Sequence, residues 1–360
     1  MNNLRLLFYF FIALTLHGCT NMKTNAPTNQ VITITATQAP LAIMGRSYSA
    51  ADQGYIFGFP GVSISAQVIG SSLKADLQSS NGNSWIDVLV DGQLQSTQKI
   101  GQQWQTIELF NFPEVKRHRV EIIHRSENWH GSVKLGKLEL TGEKFLSAPE
   151  LPARKIMVLG DSVTCGEAID RIAGEEKNTR WWNARESYGM LIAKSLNAQV
   201  NLVCWGGRGL VRSWNGKTDD KNLTDFYEFT LGDSNPQMQW DHQNYQPDVI
   251  LIAIGTNDFS TGIPARETYV SAYVQLINKL LRNHPKAQIA LTEGAILNGE
   301  KKAALIDYLR ETISRVDNNR VHQLVSNHYP GDAQDAHPTK SQHASMAKDL
   351  TPQIKALMHW

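Results

Sequence analysis

The sequence lacks an excess of charge of either sign. Lys and Arg together number 35, Asp and Glu together number 34, and the formal net charge is +1. No run of like charges interrupts this balance, whereas a protein that binds nucleic acid or an acidic polymer usually carries a basic stripe or tail. We therefore expect neither nucleic acid nor an acidic polymer as a partner.

Cysteine is also scarce, because Cys19, Cys165 and Cys204 are the only three in the chain. This number excludes a disulfide framework, although Cys165 and Cys204 can form a single bridge in an oxidising compartment. Two buried thiols are the simpler expectation, and the sequence assigns them no role. Four histidines lie close together in the C-terminal region but show no HExxH or Cys–His spacing, so we predict no metal and no cofactor; they are His322, His328, His337 and His343.

The N-terminus lacks an apolar run long enough to cross a bilayer. Its apolar run, Leu6 to Leu16, follows Arg5 and has the layout of a signal peptide. The run ends Leu-His-Gly-Cys, which resembles the lipobox of bacterial lipoproteins, in which the cysteine receives the lipid. We predict a lipoprotein signal peptide over residues 1–19, a lipid anchor at Cys19, and attachment to a membrane of the bacterial cell envelope. An ordinary signal peptide with an incidental cysteine is the alternative.

Residues 20–40 are rich in Thr, Asn, Gln, Ala and Pro, which predicts a flexible tether outside the fold. From 41 to 146, apolar and polar residues alternate with period two, and no helical stripe is present. This pattern predicts an all-β sandwich domain, followed by a short linker that contains Pro149 and Pro152. The predicted strands are VSISAQV from Val62, LKADL from Leu73, WIDVLVDG from Trp85, TIEL from Thr106, HRVEIIHR from His118 and VKLGKLEL from Val133.

From 154 to 360 the chain alternates between apolar runs and amphipathic segments, as in an α/β domain. We predict five parallel strands and a flavodoxin-like three-layer sandwich, in which ligands bind beyond the carboxyl ends of the strands. The strands are expected to begin near Lys155, Gln199, Asp248, Gln288 and Arg320. Helices are expected from Glu267, over 185–196, over 300–316 and from Thr339 to the C-terminus.

The segments at those strand ends contain the residues of a serine hydrolase. A serine hydroxyl becomes a nucleophile when a base accepts its proton, and the resulting oxyanion needs hydrogen-bond donors. We assign Ser162 as the nucleophile, His337 as the general base and Asp335 as the residue that orients the imidazole. The Ser162 and Gly207 N–H groups and the Asn257 side chain form the expected oxyanion hole. Taken singly, each of these residues is better explained as a helix cap, a turn residue or a packed side chain, and it is their order and placement together that favour the catalytic assignment.

Four motifs in order resemble the signature blocks of the SGNH, or GDSL, hydrolases. They are GDSVT from Gly160, GGRG from Gly206, GTND from Gly255 and DAHP from Asp335. The absence of a GxSxG elbow around a candidate serine agrees with this family and argues against an ordinary α/β-hydrolase. The resemblance implies the same roles for Ser162, Gly207, Asn257 and His337, and structural roles for Asp161 and Asp258.

One departure from the family concerns the acid. SGNH enzymes commonly place it three residues before the histidine, where this chain has Gln334. Asp335 is the nearest acid, Asp332 or a backbone carbonyl are alternatives, and a Ser–His dyad is a further one.

The β-sandwich ahead of this domain is similar to carbohydrate esterase family 2, in which a jelly-roll domain precedes an SGNH domain. WIDVLVDGQL and HRVEIIHR resemble its jelly roll. The resemblance implies removal of O-acetyl groups from xylan or glucomannan, with a preference for O-6 of hexoses. Trp205, Arg208 and Trp214 are candidate substrate contacts, and the pair Trp181-Trp182 also lies in a loop expected near the site; packing in the core is the competing explanation for each tryptophan.

Two alternatives stay open. A lipase or thioesterase of SGNH type needs an apolar channel, whereas the loops here are rich in Trp, Arg, Asn and Gly. A noncatalytic envelope lectin has no need of intact Ser, Gly, Asn and His blocks.

Overall fold

The computed structural model describes residues 30–50, 54–232 and 237–360. The predicted signal peptide, the candidate lipid anchor Cys19 and residues 20–29 of the predicted tether lie outside these ranges. Among the helices of the described ranges, none combines the length and the apolar character needed to cross a membrane.

The first region is an antiparallel β-structure. Along its main hydrogen-bonded path the strand order is β3-β4-β9-β5-β8-β6-β7, with β1 paired to β9 and β2 paired to β5. The strands are β1 (Gln30–Thr35), β2 (Ala42–Met44), β3 (Tyr48–Ala50), β4 (Gly54–Phe57), β5 (Ser63–Ser79), β6 (Ser84–Val90), β7 (Gln93–Ile100), β8 (Gln105–His124) and β9 (Val133–Phe145).

Two long strands build the sandwich, and here the prediction of separate short strands was wrong. VSISAQV and LKADL are parts of one strand, β5, and TIEL and HRVEIIHR are parts of another, β8. The β5–β8 register shifts twice between Gly70 and Lys74, as at β-bulges, which bend a strand. Side chains from both halves of β5, Ile64 and Leu73, consequently line the same interior space.

Strand β1 corrects the predicted tether. Gln30–Thr35 pairs antiparallel with β9, from Gln30 opposite Gly142 to Thr35 opposite Lys137. Ile32 and Ile34 pack against the core, and Ala36 and Ala39 are buried. The folded region therefore begins at least ten residues before the predicted boundary at 41.

The second region confirms the predicted flavodoxin-like fold. Its five strands are parallel, in the order β11-β10-β12-β13-β14. The elements are β10 (Arg154–Gly160), α1 (Ser162–Cys165), α2 (Tyr188–Ser195), β11 (Ala198–Cys204), α3 (Leu223–Phe226), β12 (Val249–Ala253), α4 (Arg266–Asn283), β13 (Gln288–Thr292), α5 (Gly299–Val316), β14 (Val321–Gln323) and α6 (Lys340–Met358).

The helices form where the sequence provides an apolar stripe and a cap. In α4 the buried residues Tyr269, Tyr273, Ile277 and Leu280 recur at intervals of three to four, so one face packs on the sheet. Helix α6 begins with a capping box, in which the Thr339 hydroxyl and the residue at the third helical position satisfy each other's backbone N–H groups.

A buried charge cluster joins the two regions. The Arg125 guanidinium of the β-sandwich donates to Asp87 Oδ1 at 2.9 Å and to Asp170 Oδ2 at 2.7 Å, and Arg185 Nε donates to Asp87 Oδ2 at 2.7 Å. Arg46, fully buried, donates to the Tyr227 carbonyl at 2.7 Å. Removing one partner from such a cluster typically costs about 3–5 kcal/mol, because a buried charge is then left unpaired.

Candidate active site

Ser162 lies at the turn from β10 into α1. Asp161 precedes it as the helix N-cap and accepts a hydrogen bond from the Val163 N–H at 3.1 Å. Burial raises the pKa of Asp161 to about 6, against hydrogen bonds from Val163 and Thr256. The residue before Asp161 must be glycine, Gly160, because a Cβ at that position would lie 2.0 Å from Thr164 Oγ1. Ser162 is 6% exposed, so its hydroxyl lies in a largely water-excluded site.

The structure brings Ser162, His337 and Asp335 into one hydrogen-bonded line. His337 Nε2 lies 2.9 Å from Ser162 Oγ, and His337 Nδ1 lies 2.6 Å from Asp335 Oδ1. The His337 backbone N–H also donates to Asp335 Oδ1, at 2.8 Å. This is the nucleophile, base and orienting-acid geometry of a serine hydrolase.

The alternative acid, Asp332, has other partners. Its Oδ1 accepts hydrogen bonds from the Arg171 guanidinium at 2.9 Å and from the Gln334 N–H at 3.0 Å. Arg171 donates as well to the backbone carbonyls of Asp335 and His337. Asp332 and Arg171 therefore shape the loop that presents His337, whereas Asp335 contacts the imidazole.

Charges around His337 favour its protonated form. Burial by itself would lower the pKa of His337, but the hydrogen bond that its Nδ1–H donates to Asp335 and the charge of Glu167 raise that pKa above its ordinary value. Burial likewise opposes ionisation of Asp335, yet hydrogen bonds from His337 and Lys177 hold its pKa well below the usual range. Asp335 thus stays a carboxylate and stabilises an imidazolium.

Glu167 and Lys177 also contact the catalytic residues, and the sequence did not predict either of them. Glu167 Oε2 lies 3.4 Å from His337 Nε2, and Lys177 Nζ lies 2.5 Å from Glu167 Oε1 and 2.8 Å from Asp335 Oδ2. Neither residue belongs to a motif, and only the folding of the loop after α1 brings them to the imidazole. They place one positive and one negative charge beside the base.

The predicted oxyanion loop follows β11, and its position is fixed from two sides. The Trp205 N–H donates to the Gly160 carbonyl at 3.3 Å, which holds the loop beside Ser162. Asn257 Nδ2 donates to the Arg208 carbonyl at 2.8 Å and has a second hydrogen available for an oxyanion. Gly207 has φ of +75°, a conformation that favours glycine.

Asp258 fixes the oxyanion loop through hydrogen bonds to its backbone. Its carboxylate accepts hydrogen bonds from the N–H groups of Leu210, Val211 and Arg212, at 2.8 to 3.2 Å. Burial raises the pKa of Asp258 to about 6 in spite of these donors. A Cβ at Gly209 would lie 2.4 Å from Asp258 Oδ2, which explains the glycine.

A disulfide joins the serine helix to the strand before the oxyanion loop. Cys165, the last residue of α1, is bonded to Cys204, the last residue of β11, with the Cα atoms 5.6 Å apart. The expectation of two buried thiols was therefore wrong. Their proximity follows from the parallel pairing of Gly160 with Cys204, a long-range contact that the sequence does not reveal.

A cleft of about 270 Å³ opens beside the oxyanion loop. Of the predicted substrate contacts, Trp205, Arg208 and Trp214 all line it, together with Gly206, Gly207, Asp220 and Trp129. Arg208 is held by an ion pair with Asp220 and a hydrogen bond to Ser213 Oγ. The pair Trp181-Trp182, by contrast, is buried and packs in the interior.

The β-sandwich contributes two residues to the site that sequence patterns missed. Trp129, in the 3₁₀ turn Asn128–His130, is 49% exposed and forms one wall of the cleft. Glu127, just before it, is buried and accepts hydrogen bonds from the Gly206 N–H and the Trp182 indole, both at 2.5 Å. Burial and the nearby charge of Glu167 raise the pKa of Glu127 to about 7. The first region therefore holds the oxyanion loop as well as walling the cleft.

In the described ranges, no three His, Cys, Asp or Glu side chains lie together as a metal site.

Comparison with known families agrees with this architecture. Residues 43–149 match the family described as carbohydrate esterase 2 N-terminal, and residues 158–344 match the GDSL-like lipase/acylhydrolase family. The protein is therefore a carboxylic ester hydrolase of the GDSL type.

Individual relatives narrow this class. The chain is 61% identical over 345 residues to an acetylxylan esterase / glucomannan deacetylase of Cellvibrio japonicus (strain Ueda107), covering 96% of both chains. It superposes on the structure of a family two carbohydrate esterase from Cellvibrio japonicus with a TM-score of 0.90 and 63% identity, covering 92% of this chain and 99% of that one. This chain belongs to carbohydrate esterase family 2.

More distant relatives share the same two regions. The cellulase/esterase CelE of Acetivibrio thermocellus is 30% identical over 288 residues, which are 78% of this chain and 35% of that protein. A family two carbohydrate esterase from Clostridium thermocellum, solved in complex with cellohexaose, superposes with a TM-score of 0.83 at 28% identity, covering 89% of this chain and 99% of that one.

Proposed function

We propose that this esterase removes O-acetyl groups from plant-type polysaccharides, xylan and glucomannan, through an acetyl-enzyme on Ser162. The observation that carries the proposal is the line Ser162–His337–Asp335, with contacts of 2.9 and 2.6 Å. The loop that is hydrogen-bonded beside Ser162 also lines a tryptophan-walled cleft. The name of the Cellvibrio japonicus relative, acetylxylan esterase / glucomannan deacetylase, supports the choice of substrate.

In the first half-reaction, His337 Nε2 accepts the Ser162 hydroxyl proton while Oγ attacks the acetyl carbonyl carbon. The tetrahedral intermediate then collapses, the bond to the sugar oxygen breaks, and the imidazolium donates its proton to that oxygen. In the second half-reaction, His337 takes a proton from water as the water oxygen attacks the acetyl group. The bond between Ser162 Oγ and the acetyl carbon then breaks as the imidazolium returns its proton to Oγ. Acetic acid leaves and loses its remaining proton to solvent as acetate.

The oxyanion of each tetrahedral intermediate is proposed to accept hydrogen bonds from the Ser162 and Gly207 N–H groups and the Asn257 side chain. The support is the way this loop is held: Asp258 fixes it through three backbone N–H groups, and Asn257 itself binds its Arg208 carbonyl. Donors fixed before the reaction need no reorganisation as charge develops, and each is typically worth about 3 kcal/mol of the barrier.

The cleft supports a sugar ester more than a long acyl chain. Its walls combine the indoles of Trp129, Trp205 and Trp214 with the Arg208–Asp220 ion pair, a mixture that suits a ring bearing hydroxyl groups. The apolar space inside the β-sandwich, by comparison, is only about 10 Å³. We further propose that the preferred acetyl group is at O-6 of a hexose, since the primary position extends furthest from the ring.

The alternatives are a lipase or thioesterase of the same fold, and a noncatalytic lectin. Hydrolysis of p-nitrophenyl esters of increasing chain length separates them. The proposal expects rapid turnover of the acetate and a steep decline from butyrate onward; preference for long chains would support a lipase, and no turnover at all would support a lectin.

We also propose that the mature protein is anchored through lipid on Cys19 at the bacterial cell envelope. The support is the short apolar run of 6–16 followed by Leu-His-Gly-Cys. Cys19→Ala is expected to move the esterase from the membrane fraction to the soluble fraction. Equal membrane association of both forms would contradict the anchor and leave the esterase chemistry untouched.

The direct test of substrate is acetate release from acetylated glucomannan and acetylated xylan. Wild-type protein is expected to deacetylate both, and Ser162→Ala to be slower by about 10⁴-fold or more. Thr164→Ser keeps a hydroxyl that can bond the Tyr188 hydroxyl; it is the matched control and should stay within a few fold of the wild-type rate.

A further inference from the structure

We propose a second polysaccharide-binding site on the β-sandwich. It is a groove next to Trp104 whose edge contacts the turn that walls the catalytic cleft, and it holds a distant part of the same glycan chain. This inference rests on the proposed function, which provides a polymeric substrate. The groove encloses about 410 Å³ and is lined by Gln78, Ser79, Ser80, Gln102, Gln103 and Lys134.

The groove has the chemistry of a neutral-sugar site. Amide and hydroxyl side chains can both donate and accept hydrogen bonds, as sugar hydroxyl groups do, and no carboxylate is present in its lining. The amides are held in place: Gln78 Nε2 donates to the Gln102 carbonyl at 2.8 Å, and Gln102 Nε2 donates to the Ser80 carbonyl at 3.5 Å. An oligosaccharide therefore meets groups that are already ordered.

Trp104 supplies an apolar surface beside these amides. It is 48% exposed, and its ring occupies the space above Gly136, where a Cβ would lie 2.9 Å from the indole carbons. Gly136 is two residues from Lys134 on β9, so both face the same side of the sheet. The indole consequently lies next to the groove and offers it a stacking surface, as aromatic rings do for the apolar face of a sugar.

Three contacts join the edge of the groove to the turn that walls the catalytic cleft. Asn81, which follows the groove residue Ser80, donates through Nδ2 to the carbonyl of Trp129 at 3.2 Å. The Ser132 N–H donates to Ser80 Oγ at 2.9 Å, and a Cβ at Gly131 would meet both Ser80 and Asn81 at 2.6 Å. The turn that walls the cleft with Trp129 is therefore packed directly on the edge of the groove.

The positions of the exposed tryptophans support a binding path that runs from the catalytic cleft past the Trp129 turn to the groove. Of the nine tryptophans, all within the described ranges, the exposed ones are Trp104, Trp129 and Trp214. Trp129 and Trp214 line the cleft, and Trp104 lies beside the groove whose edge contacts the Trp129 turn. A chain bound along this path is held at two sites, which raises its effective concentration at the cleft and has no effect on a small ester.

Two measurements test the groove. The first is binding of inactive Ser162→Ala protein to deacetylated glucomannan, with and without Trp104→Ala. The second is the KM for acetylated glucomannan and for p-nitrophenyl acetate in otherwise wild-type protein. Leu94→Ala, at a 47% exposed apolar position on another edge of the sheet, is the matched control.

The expected result is about three- to tenfold weaker polymer binding and a similar rise in polymer KM for Trp104→Ala, with p-nitrophenyl acetate hydrolysis unchanged. Gln103→Ala, an exposed groove residue, should show a smaller effect of the same kind and guards against a folding defect in Trp104→Ala. If both variants bind polymer as Leu94→Ala does, the groove is not a glycan site. If wild-type protein binds glucomannan through Trp104 but releases no acetate from the acetylated polymer, the groove is a glycan-binding site and the proposed deacetylase function is wrong.

Discussion

The two regions of the chain meet at one cleft and contribute to it differently. The α/β region presents Ser162, Asn257 and His337 on loops at the carboxyl ends of parallel strands. The β-sandwich presents Trp129 as a wall and Glu127 as a support for the Gly206 N–H. Bond-breaking groups come from one region, whereas the surface that meets the polymer comes from both.

The β-sandwich supplies what so general a hydrolase fold does not provide by itself. The strand-end rule places reactive groups at one edge of the parallel sheet whatever the substrate is. Selectivity for the size and shape of the substrate must then come from the part of the protein that faces this edge of the sheet. Here Asn128 Nδ2 donates to the Cys204 carbonyl at 3.0 Å, so the β-sandwich is bonded to the very strand that precedes the oxyanion loop.

Among residues that support the nucleophile, the largest effect should come from the α/β region, at the acid. Asp335→Asn keeps the shape of the side chain but loses the charge that favours the imidazolium, so kcat should fall by about 10²- to 10⁴-fold for every acetyl ester. Asp332→Asn is the matched control, since it retains an oxygen for Arg171 and Gln334. Equal losses in the two variants would show that Asp335 acts only by shaping the loop.

A smaller and more selective effect should come from the β-sandwich. Trp129→Ala removes a wall of the cleft but no reacting group, so the KM for acetylated glucomannan should rise about tenfold. The kcat for p-nitrophenyl acetate should stay near the wild-type value, and Leu94→Ala should change neither. A loss of kcat on the small ester would contradict the claim that the β-sandwich contributes to polymer binding and not to the reaction.

The smallest effect concerns pH. The base must be neutral to accept the Ser162 proton, so activity falls as pH drops through the pKa of His337, which lies above its ordinary value. Glu167 contributes to raising that pKa, so Glu167→Gln should move the acid limb of the kcat/KM profile to lower pH. Glu186→Gln, a carboxylate paired with Arg185 away from the imidazole, should leave it in place. An unmoved limb in Glu167→Gln would mean that its charge does not reach the base.

The α/β region was predicted from the sequence more accurately than the β-sandwich. The five parallel strands and the four motif blocks were found from sequence, because apolar runs and fixed local spacings carry them. The β-sandwich was recognised as a class, but β5 and β8 were each divided in two, since a bulge interrupts the alternation without ending the strand. Strand β1 was missed because its threonines and glutamine resemble the polar segment around it, and only pairing with β9 gives it an apolar face to bury.

In the site, residues within motifs were predicted and residues brought in from a distance were not. Asp335 was doubtful because it stands two positions before His337, yet the same carboxylate oxygen accepts both the backbone N–H and Nδ1 of His337. Glu127, Trp129, Glu167 and Lys177 had no local signal. Each reaches the site through a contact with another element, and such contacts exist only in the folded chain.

The central claim is a covalent acetyl-enzyme on Ser162, and acid quenching during turnover of an acetyl ester tests it most directly. Mass spectrometry of the wild-type protein should find one acetyl group on the peptide that contains Ser162, and none on Ser162→Ala. Acetylation of a different residue, or undiminished acetate release by Ser162→Ala, would contradict the account.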